Sequence, residues 1–198
     1  MSAPRPPSGH DPVPNRRYQR NIAAVPDSAY PDVMTEFTID RLTTSDAEAY
    51  RDIRLEGLQR NPEAFGASFE DECDRSVEHF AGNLENGMVF GAWAMPDRQL
   101  LAVMGLRIPT ATKLKHKATL WGVYVRPQAR GLGVASALLA HVLDHAEPLV
   151  EGVNLTVGAA NQAAIRLYSR AGFIQYGLEQ RSLKVGDIYY DEMLMTRP

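Results

Sequence analysis

The 198-residue chain is expected to fold as an α/β (α+β) domain: a mixed, mostly antiparallel sheet with helices on both faces. Three observations predict this. Short strand-like segments alternate with stretches of helical apolar periodicity. Strands follow one another directly in the middle of the chain, which favours antiparallel pairing. A strand–helix–strand step over residues 119–157 then calls for one parallel pair, because a crossover helix returns the chain in the same direction.

Residues 1–33 stand apart. They hold Pro4, Pro6, Pro7, Pro12, Pro14, Pro26 and Pro31, and they lack apolar periodicity. Such a segment buries too little surface to offset its ordering entropy, so it is expected to be a flexible extension, with the folded domain at 34–198. Met34 is a candidate natural start; a native mass that includes residues 1–33 would exclude it.

The first strand covers residues 37–42, carrying Phe37 and Ile39. Ser45-Asp46-Ala47-Glu48 has the form of a capping box, and the helix it opens places Tyr50, Ile53, Gly57 and Leu58 at helical spacing. Asn61-Pro62 stops that helix. A loop over 63–72 leads to a second helix near 75–85, closed by Asn86-Gly87. Residues 88–95 and 99–108 are strands joined by a turn at Pro96-Asp97-Arg98. A further strand spans 119–125. A strong helix over 131–146 carries the stripe Val134, Leu138, Leu139 and Val142. After Glu147-Pro148 come a short strand (153–157), a helix (161–171) with Gly172 as a left-handed cap, and two closing strands, 173–179 and 188–195.

Composition narrows the function. Apolar residues make up 44% and charged residues 23%, and the formal net charge is -3. This balance suits a globular protein and offers no broad basic surface for nucleic acid. No apolar run is long enough to span a membrane, and the N-terminus has no signal-like apolar core. Cys73 is the single cysteine, so no internal disulfide can form, which suits the cytoplasm. Glu70, Asp71, Glu72 and Asp74 surround it and disfavour a thiolate nucleophile. His141 and His145 share a helix face but lack the glutamate of a zinc-binding pair, so no metal is expected.

The strongest chemical signal is Val125-Arg126-Pro127-Gln128-Ala129-Arg130-Gly131-Leu132-Gly133-Val134-Ala135-Ser136, running from a strand end into a helix start. A helix N-terminus offers unpaired N–H groups and a partial positive charge, a natural seat for phosphate. Gly131 and Gly133 remove side chains where a diphosphate would approach, and Arg130 adds a planar cationic fork. The loop lacks the Gly-Lys-Ser/Thr ending of a P-loop. A dinucleotide fingerprint fails too, because Ser136 stands at its last glycine position and Glu151 precedes the next strand. A pyrophosphate loop of coenzyme A type remains, beside a plain glycine turn.

At this point the chain resembles the GNAT N-acetyltransferase superfamily. The family's Arg/Gln-x-x-Gly-x-Gly/Ala motif fits Gln128-x-x-Gly131-x-Gly133 and, with better spacing from Val125, Arg130-x-x-Gly133-x-Ala135. The run from Asn161 to Phe173 is similar to its second motif, Asn-x-x-Ala-x-x-x-Tyr-x-x-x-Gly-Phe. The resemblance implies a GNAT fold with a splayed parallel strand pair and acetyl-CoA as cosubstrate. It implies pantetheine contacts from Val123, Tyr124, Val125 and Asn161. It places the pyrophosphate on Arg130, Gly131, Leu132, Gly133, Val134, Ala135 and Ser136. It makes Tyr168 the acid that protonates the leaving thiolate, and a phenol of pKa ~10 holds its proton at neutral pH. The acceptor is then a primary amine of a small molecule or peptide, with no nucleic-acid or membrane partner. Family members often dimerise, so a homodimer is one expectation. The general base stays open: the position of the glutamate found in some relatives is Thr156 here, leaving Glu70, Glu72, Tyr124, Asp191 and Glu192. Phe65, Phe69 and the acidic run in 61–74 could line an acceptor pocket. The rival reading is a non-catalytic acyl-CoA-binding module.

Overall fold

The computed structural model describes residues 36–198 and the backbone of Arg17–Gln19. Among the described residues, the strands are β1 (Arg17–Gln19), β2 (Glu36–Arg41), β3 (Met88–Ala94), β4 (Leu100–Arg107), β5 (Lys117–Val125), β6 (Gly152–Gly158), β7 (Ile174–Val185) and β8 (Ile188–Arg197). The helices are α1 (Ala47–Arg60), α2 (Phe69–Glu72), α3 (Val77–Asn86), α4 (Val134–Ala146) and α5 (Gln162–Arg170). They form one mixed sheet in the order β1-β2-β3-β4-β5-β6-β8-β7. The expected element order holds from β2 onward. Apart from β1, the segment expected to be a flexible extension lies outside the described residues. Among these residues no helix is long and apolar enough to cross a membrane.

Each sheet face has its own apolar core. Leu138, Leu139 and Val142 of α4 and Tyr168 of α5 pack with Leu120, Leu155 and Met195 on one face. Tyr50 and Ile53 of α1 and Phe80 and Leu84 of α3 pack with Trp93, Val103 and Tyr124 on the other. His141 and His145 are not plain surface residues: both rings meet Phe90 edge-on, at 5.7 and 5.0 Å.

Three element starts differ from expectation. The cap before α1 uses Thr43 and Asp46 rather than Ser45 and Glu48, since the Thr43 N–H donates to Asp46 Oδ2 at 2.8 Å and a short 3-10 turn precedes the helix. The loop after α1 holds the extra turn α2, where Ser68 Oγ accepts from the Asp71 N–H at 3.2 Å. Helix α4 begins at Val134 instead of residue 131, because Gly131 (φ 77°) and Gly133 (φ 81°) take left-handed backbone that a helix cannot continue.

The parallel pair expected from the crossover is β5–β6, and it is short. It is registered only at Lys117↔Gly152, Ala118↔Val153 and Thr119↔Asn154. Residues 120–125 of β5 and 155–158 of β6 run on without pairing to each other, so the sheet splays open between them. Strand β5 keeps its antiparallel partner β4 as far as Ala102↔Val125, with an irregularity between Val103 and Gly105. Opposite that irregularity stands Gly122, with φ 60°. One extra residue in β5 reverses its alternation: Ala118 and Leu120 face the α4 side, Trp121 the α1 side, then Val123 the α4 side and Tyr124 the α1 side. Gly122→Ala should therefore lower stability by about 1–2 kcal/mol, from left-handed strain alone, because its Cβ would meet only Arg54 Nη1 at an ordinary 3.6 Å. Urea unfolding measures this, and an unchanged midpoint would rule out strain at the bulge.

Candidate functional site

The bulge decides which backbone groups face the gap. The Arg126 N–H donates to the Leu101 carbonyl at 2.9 Å, which makes 126 and 101 a hydrogen-bonded pair. The next pair, Val125 and Ala102, is then non-bonded, and the following pair, Tyr124 and Val103, is bonded. The Val125 N–H and C=O therefore point away from β4 into the splay, and Val123 shares that alternation. The Tyr124 backbone turns toward β4. Of the three residues expected to offer backbone to a ligand, the sheet leaves Val123 and Val125.

Directly after β5 the chain makes a 3-10 turn, Pro127–Ala129, and reaches the glycine loop. Arg130 Nε donates to the Val125 carbonyl at 3.0 Å, and its guanidinium lies 5.9 Å from the Tyr124 ring. This ties the loop's cation to the strand end. A Cβ built on Gly131 or Gly133 would meet no heavy atom within 4 Å, so open space lies before both. Val134, Ala135 and Ser136 form the first turn of α4, where N–H groups have no intrahelical acceptor. The loop, the two glycines and the helix start thus form a cradle suited to a diphosphate. From Ser136 a groove of about 330 Å³ continues between α4 and α5, lined also by Leu139, Leu143, Arg170 and Arg197.

Helix α5 starts where β6 ends. Asn161 Oδ1 accepts from the Ala164 N–H at 3.1 Å, so this side chain caps the helix. Seven residues on, Tyr168 shares its face. The Tyr168 ring is buried, 5.8 Å edge-on from Phe173, and its hydroxyl makes no hydrogen bond among the described residues. Burial pushes this phenol up to about 12, so it stays protonated through any working pH.

On the α1 side lies a residue the sequence reading missed. Glu56 accepts from the Tyr124 hydroxyl at 3.0 Å and from Arg126 Nε at 2.9 Å. Tyr124 is raised above the ordinary phenol value, mainly by burial and next by its bond to Glu56. Arg60, four residues along α1, also approaches Glu56 at 3.5 Å. The sequence signal was slight: Glu56 is one of three carboxylates on α1, with Arg54 two residues before it and Arg60 four after.

The other base candidates separate. Glu72 is gripped by Arg54 through both oxygens, at 2.7 and 3.0 Å, so its carboxylate holds the 61–74 loop to α1. Phe65 lies 5.4 Å under the same guanidinium. Glu70 is exposed on α2. Asp191 Oδ1 accepts from the Arg181 N–H at 2.8 Å, within the β7 bulge, where Arg181 has φ 56°. Glu192 Oε2 accepts from Ser182 Oγ at 2.7 Å. Among the described residues no cluster of metal-binding side chains occurs.

A family model described as the acetyltransferase (GNAT) family matches residues 49–173. This match covers more than half of the chain and identifies it as a member of the GNAT acetyltransferase family, with which the splayed pair and the glycine loop between β5 and α4 agree. Solved structures agree on the fold. A GNAT-family acetyltransferase from Streptococcus pneumoniae is 19% identical, with TM-score 0.71, over 82% of this chain and 98% of that one. A ribosomal-protein-alanine N-acetyltransferase from Brucella melitensis is 22% identical, with TM-score 0.69, over 80% and 98%. The ribosomal-protein-S18-alanine N-acetyltransferase of Escherichia coli is 26% identical, with TM-score 0.62, over 82% and 93%. No curated protein sequence matches the chain.

The loop's glycines give the sharpest test of the cradle. Gly133→Val should weaken coenzyme A binding at least ~10-fold, because a branched side chain would fill the space before the loop and strain a left-handed position. Isothermal titration with coenzyme A reads this, and wild-type affinity would move the diphosphate elsewhere.

Proposed function

We propose that the chain transfers an acetyl group from acetyl-CoA to a primary amine of a small molecule or peptide, by direct attack on the thioester. The observation that carries the proposal is the meeting of three features at one gap: outward backbone at Val123 and Val125, the cradle over 131–136, and the face of α5 bearing Asn161 and Tyr168. In this reading the Val125 N–H holds the pantetheine arm as a strand neighbour would, beside the carbonyl that Arg130 occupies, and residues 131–136 hold the pyrophosphate. When bound, acetyl-CoA supplies the activated acyl carbon.

The chain's own groups then have defined tasks. The Val123 N–H is aimed where an oxyanion would form, and a fixed donor there stabilises developing charge. Tyr168 holds its proton until the sulfur needs it and gives it up there. Asn161 fixes the start of α5 through its bond from the Ala164 N–H. The phosphate cradle lies on the α4 side of the sheet, so the amine approaches from the α1 side, past Tyr124 and the Pro62–Ala64 turn. That ribosomal-protein-alanine acetyltransferases share the fold makes a peptide N-terminus one acceptor worth testing. The single Cys73 suits a reducing cytoplasm.

Release of coenzyme A thiol from acetyl-CoA should require an amine from a panel of phenethylamine, spermidine and an alanyl tripeptide amide. Tight acetyl-CoA binding with no thiol release for any amine would instead favour the acyl-CoA-binding module. Tyr168→Phe should lower turnover by about 10²-fold, in the usual range for a lost acid. Because the Tyr168 hydroxyl sits at about 12, its ionisation should cut no basic limb into the turnover–pH profile below pH ~10, where about 1% is ionised. A Tyr168-dependent limb near pH 9 would contradict that burial.

A further inference from the structure

Strand β8 carries a carboxylate at the place where the chain lacks one. Thr156 occupies the β6 position at which some relatives carry a glutamate. Its partner across the ladder is Leu194, and Gly158 pairs with Glu192 two residues along. Val153, Leu155 and Val157 of β6, with Met193 and Met195 of β8, pack on the α4 side. Alternation therefore puts Thr156, Gly158 and Glu192 on the opposite, α1 side, the face from which the amine would come. Thr156 is exposed there. Gly158 has no side chain, and a Cβ on it would meet nothing within 4 Å, so the space beside Glu192 is open. The Pro62–Ala64 turn approaches both β6 and β7.

Glu192 is also held for use. Ser182 Oγ donates to its Oε2 at 2.7 Å, while among the described residues Oε1 receives no protein donor. Ser182 reaches it because β7 bulges between Glu179 and Leu183. Glu179 stands directly opposite Glu192 across the ladder, and among the described residues neither makes an ion pair. Two adjacent carboxylates repel each other and favour a cation between them and the gap. Glu56, in contrast, already carries Arg126 and Tyr124.

We infer that Glu192 is the carboxylate that receives the acceptor's ammonium and takes its proton, displaced by one strand from the family position at Thr156. This rests on the acetyltransferase reading above. Glu192 takes one proton from the ammonium and passes it to solvent. The freed nitrogen lone pair forms the C–N bond, and the C–S bond breaks with its electron pair left on sulfur. Tyr168 protonates that sulfur, and the surplus proton on the new amide nitrogen returns through solvent to Tyr168.

The test uses the full chain, titrated with coenzyme A and then with phenethylamine or the alanyl tripeptide amide. Glu192→Gln should keep coenzyme A affinity, lose at least ~10-fold in amine affinity and lose about 10²-fold in turnover. The double variant Thr156→Glu, Glu192→Gln should regain turnover to within about tenfold of wild type, since it returns a carboxylate to the same face one strand away. A purely structural role for Glu192 predicts no such rescue. Wild-type amine affinity and turnover in Glu192→Gln would overturn the assignment alone. A double variant that folds and binds coenzyme A but is no faster than Glu192→Gln would overturn it too. A wild-type protein that binds coenzyme A yet takes no amine would overturn the acetyltransferase reading, and the assignment with it.

Discussion

The early end of the β5–β6 ladder governs this molecule. Three registered pairs, ending at Thr119↔Asn154, hold two parallel strands together, and then the strands part. A sheet interior normally satisfies every backbone group, and unpaired buried groups are costly. Here the open edge of β5 lies beside a helix N-terminus with its own unpaired N–H groups. The acetyl-CoA of the proposed function, extended at one end and doubly anionic at the other, would meet both deficits.

The neighbouring features follow from that opening. The bulge at Gly122 twists β5 away from β6 and reverses its alternation, so Tyr124 turns under α1 and Val123 and Val125 turn to the α4 side. Arg130 bonds the Val125 carbonyl and so links the strand end to the loop that follows. On the far bank, β6 passes through Gly158 into the Asn161 cap of α5, which carries Tyr168 into the core. Strand β8 holds β6 through Gly158↔Glu192, beyond the point where β5 has left it. The gap is thus framed by strands and helices on both sides, with the glycine loop at one end.

Much of this was legible in the sequence because local rules fix it. Helical periodicity marked α4 and α5, Gly172 took the left-handed cap at φ 90°, and the strand–helix–strand step foretold the parallel pair. The helix start was misplaced by three residues, since the same glycines that mark the loop also forbid helix there. What stayed hidden depends on partners far along the chain. Nothing local shows that Gly122 bulges, because a bulge is a mismatch between two strands. Glu56 meets Arg126 across 70 residues, and Glu72 meets Arg54 across 18. Which face Glu192 takes is set by Met193 and Met195 finding the α4-side core. The sequence could name the carboxylates but could not sort those that hold the fold from the one proposed to meet the amine.

Amide hydrogen exchange, with and without acetyl-CoA, tests the central claim most directly. If the ligand takes the place of a strand beside β5, the Val123 and Val125 amides and those over 131–136 should slow markedly when it binds, while Tyr124, already bonded to β4, should change little. Unchanged exchange at Val123 and Val125, with protection appearing elsewhere, would contradict the splay as the donor site.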